Sequence, residues 1–199
     1  QEIEQAGGKA LAVACDIRDE EQIMNAVAQA GQKFGSLDGL INNASAISLT
    51  NTEDTAPKRY DLMMDINVRG TFMVTKYCLP HLKKSKNPHI LTLSPPLNLK
   101  PAWFSGHAAY TLSKYNMTLL AMAWAAEFKS FGIAVNSLWP MTTIATAAVQ
   151  NLLGGAQLVR RSRKPDIIAD AVHFILRQNA QNYSGQQLLD ESVLAQAGI

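Results

Sequence analysis

A doubly wound α/β fold on a parallel sheet is what this sequence predicts, and three observations predict it. Short apolar runs alternate with stretches whose apolar residues recur at helical spacing. Each strand-like run ends in a polar or turn-forming cluster: Cys15-Asp16-Ile17, Asn42-Asn43-Ala44-Ser45, Ser94-Pro95-Pro96 and Trp139-Pro140-Met141-Thr142. Hydrophobic residues make up 47% of the 199 positions against 17% charged, enough to bury a sheet on both faces. Strand, amphipathic helix and strand in alternation is the pattern of βαβ units, and the length suits one domain over 1–199.

The elements follow in order. Gln1 to Ala6 reads as the last turns of a helix stopped by Gly7-Gly8. Lys9 to Ile17 reads as a strand, with Leu11, Val13 and Cys15 alternating around alanines. Asp19 caps the next helix, whose Ile23, Ala26, Val27, Ala30 and Phe34 form one apolar face. A strand at 37–42 follows a glycine turn. Lys58 to about Leu82 is helical, with a break expected near Pro80. Further strands are expected at 89–94, 133–138 and 186–189, separated by helices at 110–131 and 166–177. All are expected to be parallel, because helical crossovers join parallel neighbours. The stretch from Met141 to Lys164 reads as a loop with short helices, suited to a lid.

In an open sheet of this kind, ligands bind beyond the carboxyl ends of the strands. Just past the third exit stands His107-Ala108-Ala109-Tyr110-Thr111-Leu112-Ser113-Lys114. A tyrosine and a lysine four apart share one helix face. An ammonium held close lowers a phenol's pKa, which suits Tyr110 to acid–base work. The plainer reading, an exposed pair on an ordinary helix, is open on these residues alone.

Order and spacing along the chain resemble the short-chain dehydrogenase/reductase family. The resemblance rests on Cys15-Asp16-Ile17-Arg18-Asp19, Asn42-Asn43-Ala44-Ser45, Asn67-Val68-Arg69-Gly70-Thr71-Phe72, Tyr110 with Lys114, Val135-Asn136-Ser137-Leu138-Trp139-Pro140 and Ser184-Gly185-Gln186. The runs Asn42 to Thr52 and Leu93 to Leu99 match one subgroup within it. The resemblance implies a Rossmann-type fold and a hydride exchanged between a nicotinamide cofactor and a carbonyl or alcohol substrate. The cofactor is NADP or NAD, with NADP favoured. Tyr110 would exchange a proton with the substrate oxygen. Lys114 would hold the nicotinamide ribose and depress the tyrosine pKa, and Asn67 would bind a relay water. Asp16 would bond the adenine, while Ile17, Asn42, Ala44, Pro140 and Thr143 would line the cofactor cleft. A local backbone bond is the competing reading of Asn67.

The chain departs from that pattern at four places. Ser45 and Met141 stand where the family has glycine. The carbonyl-polarising serine, normally thirteen residues before the tyrosine, would fall on Leu97; Ser94 is assigned to it through an insertion in the Pro-rich loop, with Ser105 as the other candidate. No Gly-x-x-x-Gly-x-Gly turn precedes the first strand, so the fold is expected to lack its first βαβ portion here, an N-terminally incomplete dinucleotide-binding domain.

Composition narrows the alternatives. A formal net charge of +2 gives no reason to expect nucleic acid. The basic cluster Arg160-Arg161-Ser162-Arg163-Lys164 reads as a solvated loop. Cys15 and Cys78 suggest a reducing, cytoplasmic setting, and no apolar run has the length of a membrane span. His81, His89, His107 and His173 lack metal-ligand spacing, so no metal is expected and they read as surface or helix-end residues. Trp103, Phe104, Trp139, Met141, Leu152 and Leu153 suit either an apolar substrate pocket or core and interface. The apolar helix at 110–131 points to a homo-oligomer. A non-catalytic binding or assembly module is the alternative function.

Overall fold

The computed structural model describes residues 1–199. Four parallel strands form one sheet in the order β1 (Gly39–Asn42), β2 (His89–Leu93), β3 (Ala134–Trp139) and β4 (Gln187–Leu189). Sheet order thus follows sequence order, as expected of strands joined by helical crossovers.

Eight α-helices accompany the sheet: α1 (Glu2–Gln5), α2 (Glu20–Phe34), α3 (Pro57–Met63), α4 (Thr71–Leu82), α5 (Ala108–Glu127), α6 (Gly155–Arg160), α7 (Asp166–Leu176) and α8 (Asp190–Ala197). Asp19 caps α2 by accepting from the N–H groups of Glu21 and Gln22. Alternation along the strands sends neighbours to opposite faces. Ile90 and Val135 join Cys78, Leu82, Ala121, Trp124, Phe128 and Ile133 under α4 and α5. Leu91, Leu138 and Leu188 join Ala171, Ile175 and Val193 under α7 and α8. Helices therefore cover both faces, and the fold is of the Rossmann type. The return from α5 to β3 passes through Gly132, whose φ of +68° is left-handed and suits only glycine without strain.

Four expectations need correction. Residues 9–16 form no strand. An extended segment becomes a strand only by pairing, and nothing lies beside this one to pair with; Leu11 and Cys15 are exposed. β1 correspondingly pairs on one side only, with Ile41 exposed. The second correction concerns Pro80. It does not break α4, which runs two residues further, so the missing N–H falls in the helix's last turn. The irregularity lies earlier, where Met64–Gly70 winds as a π-helix between α3 and α4. Third, His89 is fully buried, at 1% exposure, against its reading as a surface or helix-end residue. Its Nε2 lies 3.0 Å from the Gln178 carbonyl, and desolvation pushes its pKa down. Fourth, α8 was not foreseen; its single buried apolar residue, Val193, gives too weak a stripe to show as a period.

The stretch from Met141 to Lys164 folds as short helices: a π turn at Val149–Leu153, then α6, with a bridge between Ile144 and Arg163. No helix is long and apolar enough to cross a membrane.

Candidate active site

α5 carries the centre of the site. Tyr110 is half-buried in its first turn and Lys114 is buried one turn on. The Lys114 ammonium donates to the Leu93 carbonyl at 2.9 Å, at the carboxyl end of β2. It also lies 3.6 Å from Met117 Sδ and 5.4 Å from the Trp139 ring centroid. The lysine thus ties α5 to the exits of β2 and β3.

The expected lowering of the Tyr110 pKa is not found. Burial pushes the phenol up to about 12, and no charge opposes it. Burial also brings Lys114 down to about 8. A long flexible side chain settles on the strongest nearby acceptor, here a backbone carbonyl in place of the phenol.

A stability prediction follows from the lysine. With its pKa near 8 in the fold and 10.5 unfolded, Lys114 is charged in both states below about pH 8, and the fold bears the full cost of burying it. Between those values the unfolded chain holds the extra proton, so stability rises with pH. Lys114→Met is expected to stabilise the fold by about 1–3 kcal/mol at neutral pH, with the gain fading toward about pH 10.5. Denaturant unfolding across that range checks it; a Met variant less stable at neutral pH contradicts it.

Asn67 sits in the π-helical turn, fully buried. Its Oδ1 accepts from Ala46 N at 2.7 Å, and its Nδ2 donates to Ala46 O and Ser113 Oγ, both at 2.9 Å. Ser113 Oγ in turn donates to the Tyr110 carbonyl at 2.8 Å. One side chain therefore clamps the β1 exit, the π turn and the first turn of α5. Both of its amide hydrogens go to protein partners far away in the sequence, so the bond is not the local backbone one that the sequence offered as the competing reading. Gly70 closes the π turn, where a Cβ would come within 2.6 Å of Ile17 Cδ1, so Ile17 packs against backbone there.

The structure does not bring Ser94 to Tyr110. Ser94 is fully buried and its hydroxyl lies 2.8 Å from Thr118 Oγ1, two turns beyond Tyr110 on α5, about 12 Å along the axis. Thr118 Oγ1 also reaches the Pro95 carbonyl at 2.7 Å. Pleating decides this: the strand-end residue points to the helix, whatever the loop length beyond it. Ser105 lies exposed in the loop before α5.

The remaining positions cluster at the strand exits. Asn42 is buried, with its amide donating to Thr75 Oγ1 at 3.1 Å. Ala44 is exposed at the β1 exit, and neither Ser45 nor Met141 takes the left-handed conformation that would demand glycine. The carboxylate of Asp16 faces Arg18, whose Nε donates to both oxygens at 2.9 and 3.0 Å; this holds the acid at about 2. Pro140 is half-buried at the β3 exit. Thr143 Oγ1 lies 2.8 Å from Ser162 Oγ.

One residue at these exits has no reading in the sequence, and His107 stands at a helix end as expected. Asp190 is fully buried at the end of β4; Oδ1 accepts from Met141 N at 2.8 Å and Oδ2 has no partner. An acid directly after a Leu-Leu strand was its only signal. His107 stands one turn before Tyr110, its Nδ1 2.8 Å from Thr111 Oγ1.

The family's nicotinamide cofactor fits part of this donor set. An ammonium has three N–H groups, and Lys114 commits one to Leu93, so others can meet a ribose hydroxyl. Asp190 Oδ2 is a buried acceptor awaiting a donor. The 199 residues hold no glycine-rich turn for a pyrophosphate.

Fold and candidate site together define an α/β protein in which Asn67, Tyr110 and Lys114 gather near the carboxyl edge of a parallel sheet. The chain belongs to the short-chain dehydrogenase family, whose sequence profile matches residues 1–155. It is 54% identical to the hydroxysteroid dehydrogenase-like protein 2 of Danio rerio over 198 residues, and 54% identical to that of Homo sapiens over 199. All of this chain is covered in both alignments, but only 47% of each relative, so the chain spans about half their length. Among solved structures, a short-chain dehydrogenase from Mycobacterium thermoresistibile superposes with a TM-score of 0.92 at 50% identity, over 100% of this chain and 70% of that one.

Proposed function

We propose that these residues form the catalytic part of a nicotinamide-dependent oxidoreductase that interconverts a hydrophobic carbonyl compound and its alcohol. The observation that carries this reading is the clamp of Asn67, Ser113, Tyr110 and Lys114 at the carboxyl ends of parallel strands. Bound there, a nicotinamide supplies or accepts the hydride; the protein orients it. NADP is favoured over NAD by family resemblance.

Tyr110 is the acid–base group. With its pKa near 12 the phenol is protonated at neutral pH, the form that donates a proton to a carbonyl oxygen during reduction. Lys114 keeps donors for the ribose, and Asn67 fixes the angle at which the Tyr110 turn meets the β1 exit. Asp190 positions the Pro140–Met141 turn. Residues Asn42, Ala44, Pro140 and Thr143 line the nicotinamide side, with Asp16 and Ile17 on the adenine side. The apolar rim comes from Trp103, Met141 and Leu152, which are exposed, and from Phe104, packed edge-on to Tyr115 at 5.6 Å.

The assembly reading has an observation of its own. The outward face of α5 exposes Leu112, Leu119 and Met122, and Phe72 of α4 is exposed too, packed on Trp124 at 6.1 Å. We assign this face to a homo-oligomer formed in a reducing, cytoplasmic setting; sedimentation velocity should return a multiple of the chain mass.

The activity itself is tested by supplying the full-length protein with NADPH or NADH and a hydrophobic ketone. Consumption of reduced cofactor matched one-to-one by alcohol is expected. Cofactor binding without any turnover across a ketone panel would favour the non-catalytic module.

A further inference from the structure

We infer that Asp190 and Glu191, consecutive at the start of α8, hold the two ends of segment 141–164 and so set how firmly it closes over the substrate. The inference deepens the dehydrogenase reading and rests on it.

The segment leaves the sheet and returns through one neck. Met141 follows the β3 exit, and its N–H donates to Asp190 Oδ1 at 2.8 Å. A few residues on, the outgoing and returning chains meet. Arg163 N donates to the Thr143 carbonyl at 2.9 Å, and Ala145 N donates to the Arg163 carbonyl at 2.8 Å. Thr143 Oγ1 lies 2.8 Å from Ser162 Oγ. Arg163 then reaches α8, its Nη2 donating to Glu191 Oε1 at 3.1 Å. Both ends are therefore fixed to neighbouring residues in the first turn of one helix. Glu191 N also donates to Asp190 Oδ1 at 2.8 Å, which steadies the carboxylate that receives Met141.

Residues 145–162 extend from that neck as a body with its own packing. Leu158 lies over Gly154, where a Cβ would come within 2.7 Å of Leu158 Cβ. Ser162 Oγ donates to the Leu158 carbonyl at 2.7 Å. Within 141–164 only Val149 is buried. A loop whose ends meet and whose own side chains pack it moves as a unit, and little buried surface opposes its lifting. The neck thus sets the balance between seated and lifted. This body carries Leu152 of the apolar rim, and the neck carries Met141. A substrate held by the seated form binds more weakly in proportion as that form is depleted.

The two acids contribute unequally. Asp190 is fully buried. The Arg163–Glu191 pair is 58% and 41% exposed, so water screens it and substitution there leaves the core intact.

The test uses the full-length protein. Backbone amide exchange over 145–162, read without cofactor or substrate, should quicken about tenfold in Asp190→Ala and about two- to fivefold in Arg163→Glu. Helix α5 should exchange at the wild-type rate in both, which a general loosening of the fold would not allow. Asp190→Asn keeps an acceptor for Met141 N, and Oδ2 has no partner to lose, so it should recover most of the protection. Exchanging the charges, Arg163→Glu with Glu191→Arg, should bring 145–162 back within about twofold of wild type. With 2-decanone as the substrate probe, KM should rise by the same factors while kcat stays within about threefold. Residues 145–162 already unprotected in wild type, unchanged exchange in Arg163→Glu, no recovery in the exchanged pair, or an unchanged KM in the loosened variants overturns the inference. Should Asp190→Ala fail to fold, the exposed Arg163–Glu191 pair decides. Should wild-type protein not reduce 2-decanone, the dehydrogenase reading fails while amide exchange still decides the neck.

Discussion

Tyr110→Phe in the full-length protein is expected to lower kcat by about 10²–10⁴ while leaving dinucleotide affinity within a few-fold. That range is what a positioned acid–base group contributes. The substitution removes the phenol oxygen and keeps the ring, so packing against the cleft is retained. It leaves no protein partner stranded, because desolvation alone sets the acidity of this phenol. Thermal stability should therefore be unchanged within about 1 kcal/mol. Steady-state kinetics beside calorimetric titration of NADPH separate the outcomes: near-normal kcat removes Tyr110 from the chemistry, and lost affinity with normal kcat would make it a binding residue.

The second large effect concerns the dinucleotide. The 199 residues are expected to bind NADP(H) or NAD(H) several orders of magnitude more weakly than a chain extended to include a glycine-rich phosphate turn. In the proposed reading Asn42, Tyr110, Lys114 and Pro140 would meet ribose and nicotinamide, but the 199 residues hold no glycine-rich turn to offer a run of N–H groups to a pyrophosphate. Charge-assisted hydrogen bonds are worth roughly 1.5–3 kcal/mol each, so forgoing two or three accounts for the loss. Asp16 does not compensate, since its carboxylate is held by Arg18. Titration of both forms decides this. Micromolar affinity in the 199-residue chain would mean that the phosphates sit elsewhere, with the exposed Arg160, Arg161 and Lys164 the first residues to examine.

Much of this was legible in the sequence, and the reasons differ by element. The parallel order of β2, β3 and β4 follows from helical crossovers, which the 3.6-residue period announces. The cap at Asp19 was readable from Asp19 and Gln22, three residues apart. Residues 9–16 have a strand's alternation but no neighbour, and pairing is not a local property. The π turn at Met64–Gly70 was invisible because winding changes the backbone register while the apolar pattern runs on, and Pro80 drew attention to the wrong turn. At the site, Tyr110 and Lys114 were found by spacing, yet the direction of the lysine depended on a carbonyl, Leu93, that no motif marks. Ser94 was misdirected by counting residues through a loop where strand pleating set the side chain's face. Asp190 was passed over because it stands alone at a strand end; its meaning comes from Met141, a partner distant in the sequence.

The central claim is hydride transfer with Tyr110 supplying the proton, and isotope tracing tests it most directly. Full-length protein is given a hydrophobic ketone and reduced nicotinamide cofactor deuterated at the transferring carbon, and the alcohol is analysed by mass spectrometry and NMR. The account predicts one deuterium on the carbinol carbon, none on the hydroxyl after exchange, and no labelled alcohol from Tyr110→Phe above about one hundredth of the wild-type rate. Alcohol formed without deuterium on carbon, or labelled alcohol formed at full rate by the Phe variant, would contradict it.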